Sequence, residues 1–549
     1  MRTLPILLAC LISMLLSLPV HASPEAASSK LSSSSAIISN TTIAHLLTKL
    51  TKVKLNKAIP VLEELEVEGG EAMLPLFKTM LKGELYYVKQ TKVLVAVSKF
   101  EGKKVYSNVF TGEPLAAMKK SSVKKVRVNN KVRRFLRETI ARTQLSAKNP
   151  EARLQALSSL LSELDAETIK TIKTLKAQES DEEVLTLMDV AIAMFTLSNS
   201  NDAKERLAAV SVLSGRLENE VRNLFVNVIS QEQNEKVKAA TERALASLEK
   251  RIEKFQFVDK LFFGLSLGSV LLLAAIGLAI TFGVMGVINM AHGEMIMLGA
   301  YTTYVVQLMM PNAIDYSLWV AIPLAFIVSG SVGVLIERGV IRHLHGRPLE
   351  TLLATFGISL ILQQLVRTVF SPLNRQVEAP SWMSGSLDIN PVLSLTMNRL
   401  YILAFALLVF GLLLLILNKT SLGLNVRAVS QNRNMAKAMG IKTDRVDAMT
   451  FGLGSGIAGM AGVALSQLTN VGPNLGQAYI IDSFMVVVFG GVGNLWGTLV
   501  AGFSLGIANK FIEPITGAVL ASILVLVFII LFIQKRPKGL FPQKGRAAE

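Results

Sequence analysis

The stretch LFFGLSLGSVLLLAAIGLAITFGVMG, residues 261–286, has no charged side chain over 26 positions. Coiled as an α-helix it is about 39 Å long, enough to cross the ~30 Å hydrocarbon core of a bilayer. Working outward, further apolar runs follow at 295–310, 317–336, 351–369, 400–417, 448–468 and 515–533, with a broken pair between 480 and 511. These predict a multi-spanning α-helical membrane protein with eight or nine spanning segments. The composition agrees: 51% of residues are hydrophobic and 18% charged, and the mean hydropathy is +0.46. That balance sets aside the nucleic-acid partner that a formal charge of +17 would otherwise suggest.

Lys and Arg orient the segments. Arg338, Arg342 and Arg347 mark one inner loop, the run from Lys419 to Arg445 a longer one, and Lys535, Arg536 and Lys538 the tail, whereas 311–316 has no basic residue and 371–398 only Arg375. By the positive-inside rule the C-terminus is cytoplasmic. Before this half, Arg2, an apolar run over 4–20 and Val20-His21-Ala22 predict a signal peptide over 1–22. Residues 23–254 have no run long enough to cross a bilayer and read as a periplasmic, mainly α domain with a small β part. Short strands are expected at 92–97 and 123–128. Helix starts are expected at Asn149-Pro150-Glu151, Ser180-Asp181-Glu182 and Asn201-Asp202, suggesting stacked helical hairpins. The membrane domain then occupies 255–549.

Within the apolar half, GVINMAHGE from Gly286 sets Asn289, His292 and Glu294 between two apolar runs. Polar groups and glycines at membrane depth suggest a broken helix lining a pathway; the alternative is a cytoplasmic turn capped by Asn289. Asp482, near the glycines of 490–497, is a weaker pathway residue of the same kind. One His with one carboxylate supplies too few ligands for a metal. The basic loop over 418–447 alternates cations with apolar residues and ends at Gly440, as a short amphipathic helix with a glycine stop would. It reads either as a docking helix or as a loop that only fixes topology. Glycines at 452, 454, 456, 459 and 462 predict close helix packing. The only cysteine is Cys10, no phosphate-binding G-x-x-x-x-G-K-[ST] loop occurs, and no nucleophile motif is recognisable, so neither an enzyme nor a cofactor is expected.

ITFGVMGVINMAHGEMIMLGAY (280–301), FGGVGNLWGTLVAG (489–502) and RPKGLFP (536–542) resemble the branched-chain amino-acid type permeases of ABC transporters. The resemblance covers about 261–542. It implies a type II importer permease-like fold and a coupling helix that touches ATPase subunits, matched here by Arg427, Ala428, Asn432, Ala436, Gly440 and Ile441. The secreted domain, with KVRVNNKVRRFLRETI at 125–140, is similar to that of bacterial urea permeases. The implied machine is an inner-membrane importer: a periplasmic binding protein delivers urea to a heterodimer of this chain with a second permease subunit, driven by two cytoplasmic ATPase subunits. Branched-chain amino acids or short amides remain the alternative cargo, and a passive channel or ion-coupled carrier the alternative class.

Overall fold

Arg153 and Arg206 lie 53 residues apart, as do Glu179 and Glu232, and this spacing organises much of the N-terminal half. The computed structural model describes residues 41–53, 58–100, 103–112, 122–145, 147, 149–162 and 164–541. The expected signal peptide, Cys10 and the last residue of the RPKGLFP match fall outside these. Two compact units divide between Arg251 and Ile252.

In the N-terminal unit, helices α1 (Thr41–Lys52), α2 (Ala58–Gly69) and α3 (Leu74–Lys82) precede strands β1 (Leu85–Val88), β2 (Leu94–Phe100), β3 (Lys103–Asn108) and β4 (Val123–Lys125). The antiparallel sheet has the order β3-β2-β1-β4. Both strands are shorter at one end than expected: Lys92 adopts a positive φ of 59° and belongs to the turn before β2, and β4 stops at Lys125. Leu62, Leu65, Leu76, Phe77, Met80 and Leu136 bury one core with helix α4 (Asn130–Leu145).

Helices α5 (Pro150–Leu160), α6 (Ala166–Lys176) and α7 (Glu182–Asn199) form one copy of a unit that α8 (Ala203–Leu213), α9 (Asn219–Gln231) and the first turns of α10 (Glu235–Met285) repeat. Each copy is closed by the same clasp. Arg153 donates from Nε to Glu179 Oε2 and from Nη1 to Ala147 O, at 2.7 and 2.8 Å. Arg206 donates from Nη2 to Glu232 Oε1 and from Nη1 to Ser200 O, at 3.1 and 2.9 Å. The caps repeat as well: Asn149 and Asp202 open the first helix of each copy, Asp181 and Asn234 the third.

In the C-terminal unit come α11 (His292–Met309), α12 (Ile314–Gly339), α13 (Pro348–Phe370), a β5–β6 hairpin (Ser386–Asn390, Leu393–Thr396) and α14 (Met397–Lys419). The loop helices α15 (Ser421–Gln431) and α16 (Arg433–Ala438) follow, then α17 (Thr443–Ser466), α18 (Leu475–Gly490), α19 (Leu495–Thr516) and α20 (Ala518–Lys535). Among the described residues, seven helices are long and apolar enough to cross a membrane: α10, α12, α13, α14, α17, α19 and α20. The shorter apolar α18 and the 18-residue α11 fill the other two predicted places, α11 starting at His292. Helix α17 is buried along nearly its whole length. Its glycines bring backbones together: a methyl group at Gly299 would overlap the Gly459 carbonyl, and one at Gly459 would lie 2.6 Å from Ala325 O.

Candidate functional site

Helix α10 ends at Met285 because Gly286 takes φ +67°, a conformation that L side chains disfavour. The chain stays non-helical until His292, so the break lies between two apolar helices. Asn289, His292 and Glu294 are all buried there. Asn289 Oδ1 accepts the Ala291 N–H at 3.0 Å, closing the turn just ahead of α11 rather than capping the helix itself. His292 Nε2 lies 2.9 Å from Ala274 O, and its Nδ1 has no partner among the described residues. Glu294 Oε1 accepts from Ser359 Oγ at 2.9 Å and from Gln363 Nε2 at 2.8 Å, while Oε2 has no partner among the described residues. Asp482, on α18, is half-buried and makes no hydrogen bond with these three.

Ser359 and Gln363 belong to a polar stripe that the sequence reading missed. Thr351, Thr355, Ser359 and Gln363 recur every fourth residue on one buried face of α13, and Arg367 continues the spacing. The stripe runs about 24 Å along the helix. Thr355 Oγ1 accepts the Met290 N–H at 3.1 Å, which ties the stripe to the break, and Arg367 donates to Asn474 Oδ1 at 2.8 Å. The fourth-residue spacing was visible in the sequence, but in a window otherwise filled with Leu, Ile and Val it reads as a plain span. Among the described residues, no group of three or more His, Cys, Asp and Glu is arranged to hold a metal.

The basic loop differs from the single helix expected of it. Asn432 interrupts it: its side chain accepts the Met435 N–H at 2.9 Å, so α15 ends and α16 begins there. Gly440, at φ +88°, then stops α16, with the Ile441 N–H donating back to Ala436 O at 3.0 Å. Ala436 is buried, Ala428 partly buried, and Arg427 donates to Leu417 O at 2.5 Å. Arg433 holds α16 against α17 by two bonds to the buried carboxylate of Asp447, one of 3.2 Å from Nη1. Leu424, Met435 and Met439 remain exposed.

A family model described as the permease component of branched-chain amino acid transport systems matches residues 260–533. The chain is 31% identical over 296 residues to the high-affinity branched-chain amino acid transport system permease protein LivH of Salmonella typhimurium, covering 95% of that protein and 52% of this chain. The chain belongs to this permease family. It is also similar to BraD of Pseudomonas aeruginosa, 29% identical over 299 residues, covering 96% of BraD and 52% of this chain. LivH of Escherichia coli is 30% identical over 295 residues, with 95% and 52% covered. No solved structure gives a significant match. The protein is thus a multi-pass membrane permease component of a branched-chain amino acid type ABC transporter, and not an enzyme. Permeases of this family work with ATPase subunits and a periplasmic binding protein.

Proposed function

We propose that this permease carries urea, delivered by a periplasmic binding protein, as one half of a heterodimer with a second permease subunit above two cytoplasmic ATPase subunits. The observation that carries the site reading is Glu294: one carboxylate oxygen is satisfied by Ser359 and Gln363, the other is buried without a donor among the described residues. An unmet buried acceptor costs about 1–3 kcal/mol, and more when charged, so a passing N–H group is favoured there. Urea offers four N–H donors and one carbonyl and carries no charge that needs a counter-ion. The resemblance of 125–140 to urea permeases supports the same cargo. Asn289, His292 and Glu294 line the pathway in this reading, with Asp482 further along it.

Branched-chain amino acids are the second reading, favoured by the names of the relatives and by Arg367, which continues the α13 stripe and suits a carboxylate. The deciding experiment reconstitutes the complete transporter in vesicles with ATP and measures radiolabelled urea and leucine uptake. Urea uptake that falls about tenfold or more in Glu294→Gln supports the first reading. Leucine uptake without urea uptake overturns it.

In the same reading the N-terminal unit is periplasmic, the C-terminus is cytoplasmic, and Arg427, Ala428, Asn432, Ala436, Gly440 and Ile441 form the segment that receives force from the ATPases. Closure of the ATPases shifts the outward and inward states only if their contacts with this segment differ between the two. Proline, fixed near φ −65°, cannot replace Gly440 at φ +88°. Gly440→Pro should therefore leave ATP hydrolysis running while uptake stops; normal uptake would refute the coupling assignment.

A further inference from the structure

Helix α9 carries an amide at every fourth position: Asn219, Asn223, Asn227 and Gln231. All four are exposed, and none of their side chains makes a hydrogen bond among the described residues. The helix is anchored instead by the buried Val221 and Phe225. The 53-residue repeat does not require these amides, because the matching positions on α6 hold Ala166, Lys170, Thr174 and Gln178. Asn223 and Asn227 line a pocket of about 370 Å³, and Asn227 and Gln231 line a second of about 860 Å³. The two share Asn227 and Leu224 and so form one groove between α9 and the end of α7.

A primary amide presents an N–H donor and a carbonyl acceptor side by side, the same pair that a peptide main chain offers. Four residues of helix rise about 6.0 Å, and two residues of extended chain advance about 6.6 Å in a strand or about 6.2 Å in polyproline II. Successive amides on α9 therefore meet every second residue of an extended chain laid along the helix. The rest of the lining sets what else that chain must carry. Arg206 and Glu232 satisfy each other at 3.1 Å, which leaves Glu220 as the one charged lining residue without an ion-pair partner among the described residues. It lies at the Asn223 end, where Leu161, Leu164, Phe195 and Leu224 supply an apolar wall. We infer that the groove binds an extended segment of a partner polypeptide, held by its main chain along Asn223, Asn227 and Gln231, with an aliphatic side chain against Phe195 and a neighbouring Lys or Arg facing Glu220. This inference is independent of the cargo and of the site at Glu294.

The test exposes the full chain in detergent to a library of random decapeptides with blocked ends and identifies the retained peptides by mass spectrometry. Retained sequences should share an aliphatic residue beside Lys or Arg, contain few Asp or Glu, and otherwise vary, because the main chain makes most of the contacts. Asn223→Ala with Asn227→Ala, both at exposed positions, should weaken the best peptide about tenfold or more, and Glu220→Gln should erase the preference for a basic residue. Lys170→Ala with Thr174→Ala, at the matching positions of the first copy, should change nothing. N-methylating the main-chain amides of the best peptide should abolish its retention. No retained peptide, equal retention by wild type and the Asn223, Asn227 double variant, or indifference to N-methylation would each overturn the assignment. So would displacement of the peptide by chitotetraose, which would make the groove a glycan site.

Discussion

In the N-terminal unit, helices α5, α6, α7 and α8 each start on a side chain, Asn149, Asp165, Asp181 or Asp202, that accepts a first-turn N–H, whereas α3 and α9 start without one. In the C-terminal unit, α11, α12, α13, α14, α17, α18 and α20 start with no side-chain cap, and capping is confined to α15, α16 and α19. The contrast follows from the two solvents. In water, apolar burial drives collapse without direction, and caps and clasps of polar side chains choose one arrangement. In lipid that drive between helices is absent, so close backbone approach selects the partner, and the residues that matter are those with no side chain.

The largest expected effect would break the membrane half of this contrast. Gly299→Leu forces a side chain into the Gly459 carbonyl, so the permease should lose more than about 3 kcal/mol of stability, read as loss of the monodisperse gel-filtration peak after graded heating. Retention of the peak would show that the glycine contacts are incidental.

Next comes the clasp. Arg153→Ala takes the only ion-pair partner among the described residues from Glu179, a carboxylate with 6% of its side chain exposed that keeps only its backbone donors, and should cost the N-terminal unit about 2 kcal/mol, measured by hydrogen exchange in α5–α7 of the full chain. Burial pushes the Glu179 carboxyl up, but the Asp181 N–H, the Arg153 guanidinium and the Ser180 N–H outweigh it and hold the group below the usual carboxylate range. Its stabilisation is therefore complete above the ordinary glutamate value, near 4.5, and is lost as pH falls through the lowered one. The difference between wild type and Arg153→Ala should therefore shrink as the pH is lowered from neutral into the acid range below 4.5.

A smaller effect sharpens the water-side half: Asn149→Ala removes one cap and should cost about 1 kcal/mol, seen as faster exchange in the first turn of α5. The smallest is Lys49→Ala, which removes an exposed 2.9 Å pair with Glu64 and should change stability by less than about 0.5 kcal/mol in the same measurement. A larger effect would mean that surface pairs, and not only clasps and caps, hold this unit.

Which of these features the sequence revealed depended on how local their signal is. The span at 261–286 and the caps at Asn149, Asp181 and Asp202 are legible because a run without charge, or an Asn or Asp ahead of an apolar period, carries its meaning within a few residues. The break in the basic loop was not legible: Asn432 suits a helix surface as well as a cap, and only its φ of −150° shows which role it takes. The partners of Glu294 were hidden because Ser359 and Gln363 lie 65 and 69 residues away and meet it only through packing. Asp482 and Glu294 look alike in sequence, but Glu294 has two hydrogen-bond donors and Asp482 none among the described residues. The 53-residue spacing escaped notice because few positions keep their identity between copies, Arg153 with Arg206 and Glu179 with Glu232 among them.

Each of those two clasps draws all its members from its own copy: Ala147, Arg153 and Glu179 in 147–199, and Ser200, Arg206 and Glu232 in 200–252. The stretch is therefore a ruler graduated in whole modules. A duplicate of 147–199 spliced between Asn199 and Ser200 brings its own lock with it and leaves both older ones shut, so evolution or an engineer can change the reach of this domain by fixed steps without redesigning what lies on either side.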